Sequence, residues 1–153
     1  MLRQPNVLLL STDQTETAQL QQLLGEHAIL TPVARRSELI SLLERRDYDA
    51  IFCAWAFQQG TWNEVLHDVR ESCPDLPVVI FSRTGGEQEW VKVLEAGAFD
   101  LLVAPYQQHT VIPILEQAVS SYGRGGSTAP VRTLTETPSV FQLAKIQRSG
   151  ENR

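Results

Sequence analysis

Short apolar runs alternate with stretches of helical period along most of the chain. Val7-Leu8-Leu9-Leu10 is four apolar residues in a row, the pattern of a strand covered on both faces. A polar turn follows, and Leu20, Leu23 and Leu24 then mark a helix that Gly25 stops. Ala28-Ile29-Leu30 restarts a strand with Pro32 at its end, and proline within a sheet belongs at an edge. Ser37 is the expected N-cap of a helix carrying Leu39, Ile40 and Leu43. Asp49 to Trp55 reads as a third strand. Thr61 then caps the clearest helical stripe, with Trp62, Val65, Leu66 and Val69 at i, i+3, i+4 and i+7.

Pro74 and Pro77 bracket a break before Val78-Val79-Ile80-Phe81, a second strongly buried strand. The turn Arg83-Thr84-Gly85-Gly86 leads into a helix around Trp90 to Glu95, ended by Gly97. Leu101-Leu102-Val103 is the fifth strand, closed by Pro105. The last helix is expected from about Thr110, with Ile112, Leu115 and Val119 along it. Pro113 would then lie in the first turn, where a missing N–H has no partner to lose. Five strands alternating with five helices predict a parallel sheet with right-handed crossovers and helices on both faces.

From about Gly123 the texture changes to Gly, Ser, Thr and Pro without apolar period, which predicts a flexible tail or linker over 123–153 after a domain over 1–122. Within it, Ser139 to Gln147 places Val140, Leu143 and Ala144 on one helical face, although so short a helix is unstable alone in water. The chain has 153 residues, 42% hydrophobic and 20% charged, which suits one soluble domain with a real core. Its formal charge is −5. The tail from Tyr122 carries five Lys/Arg and two Asp/Glu, so the preceding body carries −8. An acidic body argues against nucleic acid as a direct partner. No apolar run approaches a membrane span, and Val7–Leu10 is too short for a signal peptide. Cys53 and Cys73 form no disulfide framework, so a reduced, cytoplasmic setting is expected, with Cys53 in the core.

Four segments together carry a resemblance: Val7-Leu8-Leu9-Leu10, Asp49-Ala50-Ile51-Phe52-Cys53, Pro77 to Ser82, and Glu95-Ala96-Gly97-Ala98-Phe99-Asp100-Leu101-Leu102. Residues 5 to 121 resemble the receiver domain of bacterial response regulators. The resemblance implies a flavodoxin-like (βα)5 fold with strand order 2-1-3-4-5, whose second strand is an edge, as Pro32 requires independently. It also implies an active site at the carboxyl ends of the strands. There an acidic pair binds Mg²⁺ and an Asp takes a phosphoryl group from a histidine kinase, while a Ser/Thr and a Lys contact the phosphoryl oxygens.

Carried over by position, the acidic pair falls on Ser11 and Thr12, with Asp13 just beyond. The acceptor falls on Ala54, the Ser/Thr on Ser82, the lysine on Ala104, and the aromatic switch on Leu101. The loop from Ala54 to Gly60 is about two residues short and lacks the family's Met/Leu-Pro. A methyl group has no lone pair, so Ala54 is neither nucleophile nor ligand. Mg²⁺ takes near-octahedral oxygen coordination, and only Asp13 offers a carboxylate, a residue better suited to cap the first helix or hold its turn than to bind metal. Ala104 places no cation against a phosphoryl oxygen. These substitutions predict a degenerate receiver with no metal, no cofactor and no enzymatic activity. His67 and His109 have no metal-ligand spacing. The stretch Ser11 to Thr17 has the hydroxyl density of a flavodoxin phosphate loop, yet it lacks glycine and sets Asp13 and Glu16 where a phosphate would sit, which argues against flavin or nucleotide.

The expected function is a phosphorylation-independent interaction module in two-component signalling, meeting a signalling protein or a second copy. The alternative is the N-terminal regulatory piece of a longer transcriptional regulator. The resemblance points to the surface of the fourth helix, fifth strand and fifth helix, where Trp90, Leu101 and Tyr106 are candidate interface residues; aromatics are favoured anchors.

Overall fold

The computed structural model describes residues 4–58 and 60–123. The expected tail, including Ser139 to Gln147, lies outside the described residues. In chain order the elements are β1 (Asn6–Leu10), α1 (Gln14–Leu24), β2 (Ile29–Val33), α2 (Arg36–Arg45), β3 (Ala50–Ala54), β4 (Ala56–Phe57), β5 (Gly60–Thr61), α3 (Trp62–Ser72), β6 (Val78–Ser82), α4 (Glu87–Ala96), β7 (Asp100–Val103) and α5 (Gln108–Gly123). The main sheet has five strands in the order β2-β1-β3-β6-β7, all paired in parallel. This is the flavodoxin-like order, and β2 is an edge strand.

Hydrogen bonding explains how β2 tolerates Pro32. The Ile29 N–H donates to the Pro5 carbonyl, and the Val33 carbonyl accepts from the Ser11 N–H. Odd-numbered residues of β2 therefore bond β1, while Pro32 faces away from it, where a missing N–H costs no ladder bond.

Successive residues of the central strands feed two cores, one on each side of the sheet. Leu8 and Leu10 of β1 join Ile51, Val78 and Ile80 with α2, α3 and α4; Val7 and Leu9 join Phe52, Val79 and Phe81 with α1 and α5. All five residues of β3 are buried. Fully burying a leucine contributes roughly 1.5–3 kcal/mol, so the alternation itself dictates which helices lie on which face.

The structure corrects four local expectations. Ser37 is not the N-cap of α2: Arg35, in extended conformation, precedes the first helical residue, and its carbonyl accepts from Leu39. Glu38 reaches back to the Ala34 N–H at 3.3 Å, so a first-turn carboxylate satisfies the helix start instead. Helix α4 begins at Glu87, not near Trp90, with Glu89 accepting from the Gly86 N–H at 2.7 Å. Helix α5 begins at Gln108, so Pro113 is in the second turn and removes an interior bond to the exposed His109. Finally, β4 and β5 form an antiparallel hairpin pairing Ala56 with Thr61 and Phe57 with Gly60, which no apolar period announced.

The hairpin is seated by aromatics. Phe57 is buried, and Trp55 packs on Trp62 with ring centroids 5.5 Å apart at 48°. Thr61 caps α3 as expected, its N–H donating to Glu64 at 3.1 Å. A Cβ added at Gly60 would clash with the Glu64 carboxylate and come within 3.3 Å of the Phe57 ring, so a side chain there would displace one of them.

Candidate functional site

The carboxyl ends of β1, β3, β6 and β7 converge on one rim, as they must in a parallel sheet. Ala54 ends β3, 4% exposed, and its neighbour Trp55 donates its N–H to the Phe81 carbonyl at 2.8 Å. Cys53 is fully buried, and burial pushes its thiol pKa far up, so it is a core residue and not a nucleophile. Ser11 is buried, and its hydroxyl accepts from the Asp13 N–H at 3.1 Å. Thr12 is exposed.

Asp13 is the N-cap of α1, its Oδ1 accepting from Thr15 and Glu16 at 2.9 and 3.1 Å. Its other oxygen pairs with the guanidinium of Arg83, on the loop after β6. The same guanidinium lies 3.8 Å from Oε2 of Glu16, a carboxylate only 7% exposed. Tyr106, just after β7, donates its hydroxyl to that Glu16 oxygen at 2.6 Å and stands edge-on to Phe81 at 6.1 Å. Burial, and then the bond to Glu16, hold the Tyr106 pKa well above the usual phenol value. Ser82 turns to its own loop, its hydroxyl donating to the Thr84 carbonyl at 2.6 Å. The Ala104 N–H donates to the Ser82 carbonyl at 2.9 Å and continues the sheet.

The rim therefore brings Ser11, Asp13, Ala54, Ser82 and Ala104 to one end of the sheet. It adds two residues that sequence reasoning gave no role here, Glu16 as an acceptor and Arg83 as the cation. Arg83 reaches Asp13 over β3, whose two neighbours are about 10 Å apart. Chemically, the arrangement holds one carboxylate, Asp13, engaged by helix N–H groups, a second, Glu16, engaged by the phenol of Tyr106, and the guanidinium of Arg83. The methyl of Ala54 offers no bond-forming atom. Among the described residues no cluster of three His, Cys, Asp or Glu side chains is placed to hold a metal ion.

The candidate interface residues are mostly interior, which corrects their assignment as surface anchors. Trp90 is 2% exposed and Leu101 fully buried, both in the core with Val93 and Ile80. The helical stripe Trp90, Val93, Leu94 turns the indole inward. Only Tyr106 is partly exposed, and its hydroxyl points at Glu16.

Comparison with known proteins agrees with this architecture. The signal receiver domain of an HD domain-containing protein from Pseudomonas fluorescens Pf-5 superposes with TM-score 0.73 at 20% identity, over 82% of this chain and 93% of that one. A CheY-like response regulator receiver domain protein from Methanospirillum hungatei JF-1 gives TM-score 0.71 at 14% identity, over 81% and 100%. The hydrogenase transcriptional regulatory protein HoxA of Cupriavidus necator is 28% identical over 143 residues, which is 92% of this chain and 30% of that protein. The chain thus spans less than a third of that relative. Residues 7–116 match the response regulator receiver domain, and the chain belongs to that family.

Proposed function

We propose that the chain is a receiver module of two-component signalling that works by protein–protein interaction without taking a phosphoryl group. The observation that carries this reading is Ala54 at the end of β3, on a rim where the Arg83 cation is already paired with Asp13. No acceptor stands at the strand end, and the acidic groups nearby are occupied. The partner is a signalling protein in the cytoplasm, met on the face of α4, β7 and α5, and the acidic body disfavours direct contact with nucleic acid. Among the described residues no helix is long and apolar enough to cross a membrane.

The match to HoxA favours one extension: the module is the regulatory portion of a longer transcriptional regulator, whose state it passes on by contact. The test is incubation with acetyl phosphate, or with a beryllofluoride mimic, plus Mg²⁺. Intact mass and amide NMR spectra should be unchanged. A covalent phosphate at any residue, Asp13 included, would overturn the proposal.

A further inference from the structure

Helix α1 differs from α2, α3 and α4 in what it shows to solvent. Each of those three exposes several charged side chains, whereas the outer side of α1 is built from uncharged residues such as Gln14, Ala18, Gln21 and Gln22. Its one carboxylate, Glu16, is turned inward and bonded to Tyr106. The neutral surface continues onto edge strand β2. There Ile29, 49% exposed, is the one large exposed hydrophobic among the described residues. A shallow groove of about 310 Å³, lined without a single charged side chain, runs between α1 and β2 beside Pro32. Depletion of charge is the compositional mark of an interface core.

The occupant follows from the chemistry of that surface. Residues 1–121 carry eight Lys/Arg and sixteen Asp/Glu, so two copies repel wherever their charged faces meet. The α1–β2 face is free of that cost. Its glutamines each carry both donors and an acceptor, so a face of amides is complementary to itself, which a face of carboxylates is not. A two-fold contact requires such self-complementarity. Pro32 presents no N–H on the outward edge of β2, which disfavours extension of the sheet from one copy into the next. We infer that a second copy of this chain packs on the α1–β2 face, helix side against helix side, in a two-fold dimer that leaves α4, β7 and α5 free for another partner.

Sedimentation of the full chain tests this with Gln21→Glu and Gln21→Lys. Gln21 is exposed, so both variants should melt with the wild type. Wild type should dimerise with little dependence on salt, because no ion pair holds the contact. Each variant alone should dimerise at least about tenfold more weakly, since like charges then meet across the two-fold axis. An equimolar mixture of the two should recover the dimer. A wild type monomeric up to about 1 mM, where any contact is too weak to be specific, overturns the inference. So does a dimer unaffected by either variant, or a loss that mixing fails to repair.

Discussion

The hydroxyl of Tyr106 donates to Oε2 of Glu16 at 2.6 Å, joining the loop after β7 to the first turn of α1. Glu16 is nearly buried, so the bond satisfies a carboxylate that water reaches poorly. Removing the donor leaves that charge with only the guanidinium of Arg83 nearby. Tyr106→Phe should lower unfolding free energy by about 1–3 kcal/mol, measured by urea denaturation at neutral pH. A loss near zero would mean that Glu16 rehydrates freely.

The same bond sets a pH dependence. The folded pKa of Tyr106 is raised above its unfolded value near 10.0, so the neutral phenol is the form that folding favours. Its contribution is fully present below about pH 10 and is lost as pH rises through the folded value, because the unfolded chain gives up the proton first. Wild type should therefore lose more stability than Tyr106→Phe between pH 9 and 11. Parallel curves for the two proteins would exclude the phenol as the source.

Arg83 joins the loop after β6 to Asp13, but the pair is solvent-exposed, with Arg83 60% and Asp13 35% accessible. Exposed ion pairs contribute little, so Arg83→Gln should cost no more than about 1 kcal/mol. The cost should shrink as ionic strength rises. A loss of several kcal/mol that salt leaves unchanged would show that the cation acts by packing rather than by charge.

Much of this fold is legible in the sequence, and the reasons are local. Val7–Leu10, Ala50–Ala54 and Val78–Phe81 are strands buried on both faces, so each announces itself as an unbroken apolar run. Pro32 marks the edge because an interior strand has no place for it. The β4–β5 hairpin is different: two residues on each side are too few to show a period, and Trp55, Phe57 and Trp62 hold it only through contacts made after folding. At the rim, Ala54 is visible from sequence because it ends a readable strand. The pairing of Arg83 with Asp13 spans 70 residues and two turns, and no spacing rule links them. The tyrosine bond to Glu16, across 90 residues, is hidden for the same reason.

Placing an aspartate at the end of β3 tests whether the rim fails for want of one residue. Ala54→Asp sets a carboxylate close to the strand ends where Arg83 crosses. It should be accommodated with a loss of stability that the nearby guanidinium partly offsets. It should not take phosphate from acetyl phosphate, because Ser11 and Thr12 supply no carboxylate for Mg²⁺ and Ala104 supplies no cation. Intact mass spectrometry reads this directly, and an increment of one phosphoryl group in the variant would show that Asp13 and Glu16 suffice to hold the metal.

Trp90 separates a core role from an interface role. Its indole is 2% exposed and packs with Val93 and Leu101, between α4 and β7. Replacing it by alanine opens a cavity in the core, and such changes cost about 3–5 kcal/mol. Trp90→Ala should therefore lose stability first, and any loss of partner binding should track the unfolded fraction rather than precede it. A proper probe of the α4–β7–α5 face uses exposed positions. Lys92→Glu and Glu95→Lys on α4 should leave the melting temperature within a few degrees of wild type. If that face meets a partner, these charge reversals should weaken binding while the fold is intact. Binding that survives both reversals, in a protein that Trp90→Ala merely unfolds, would move the partner to another surface.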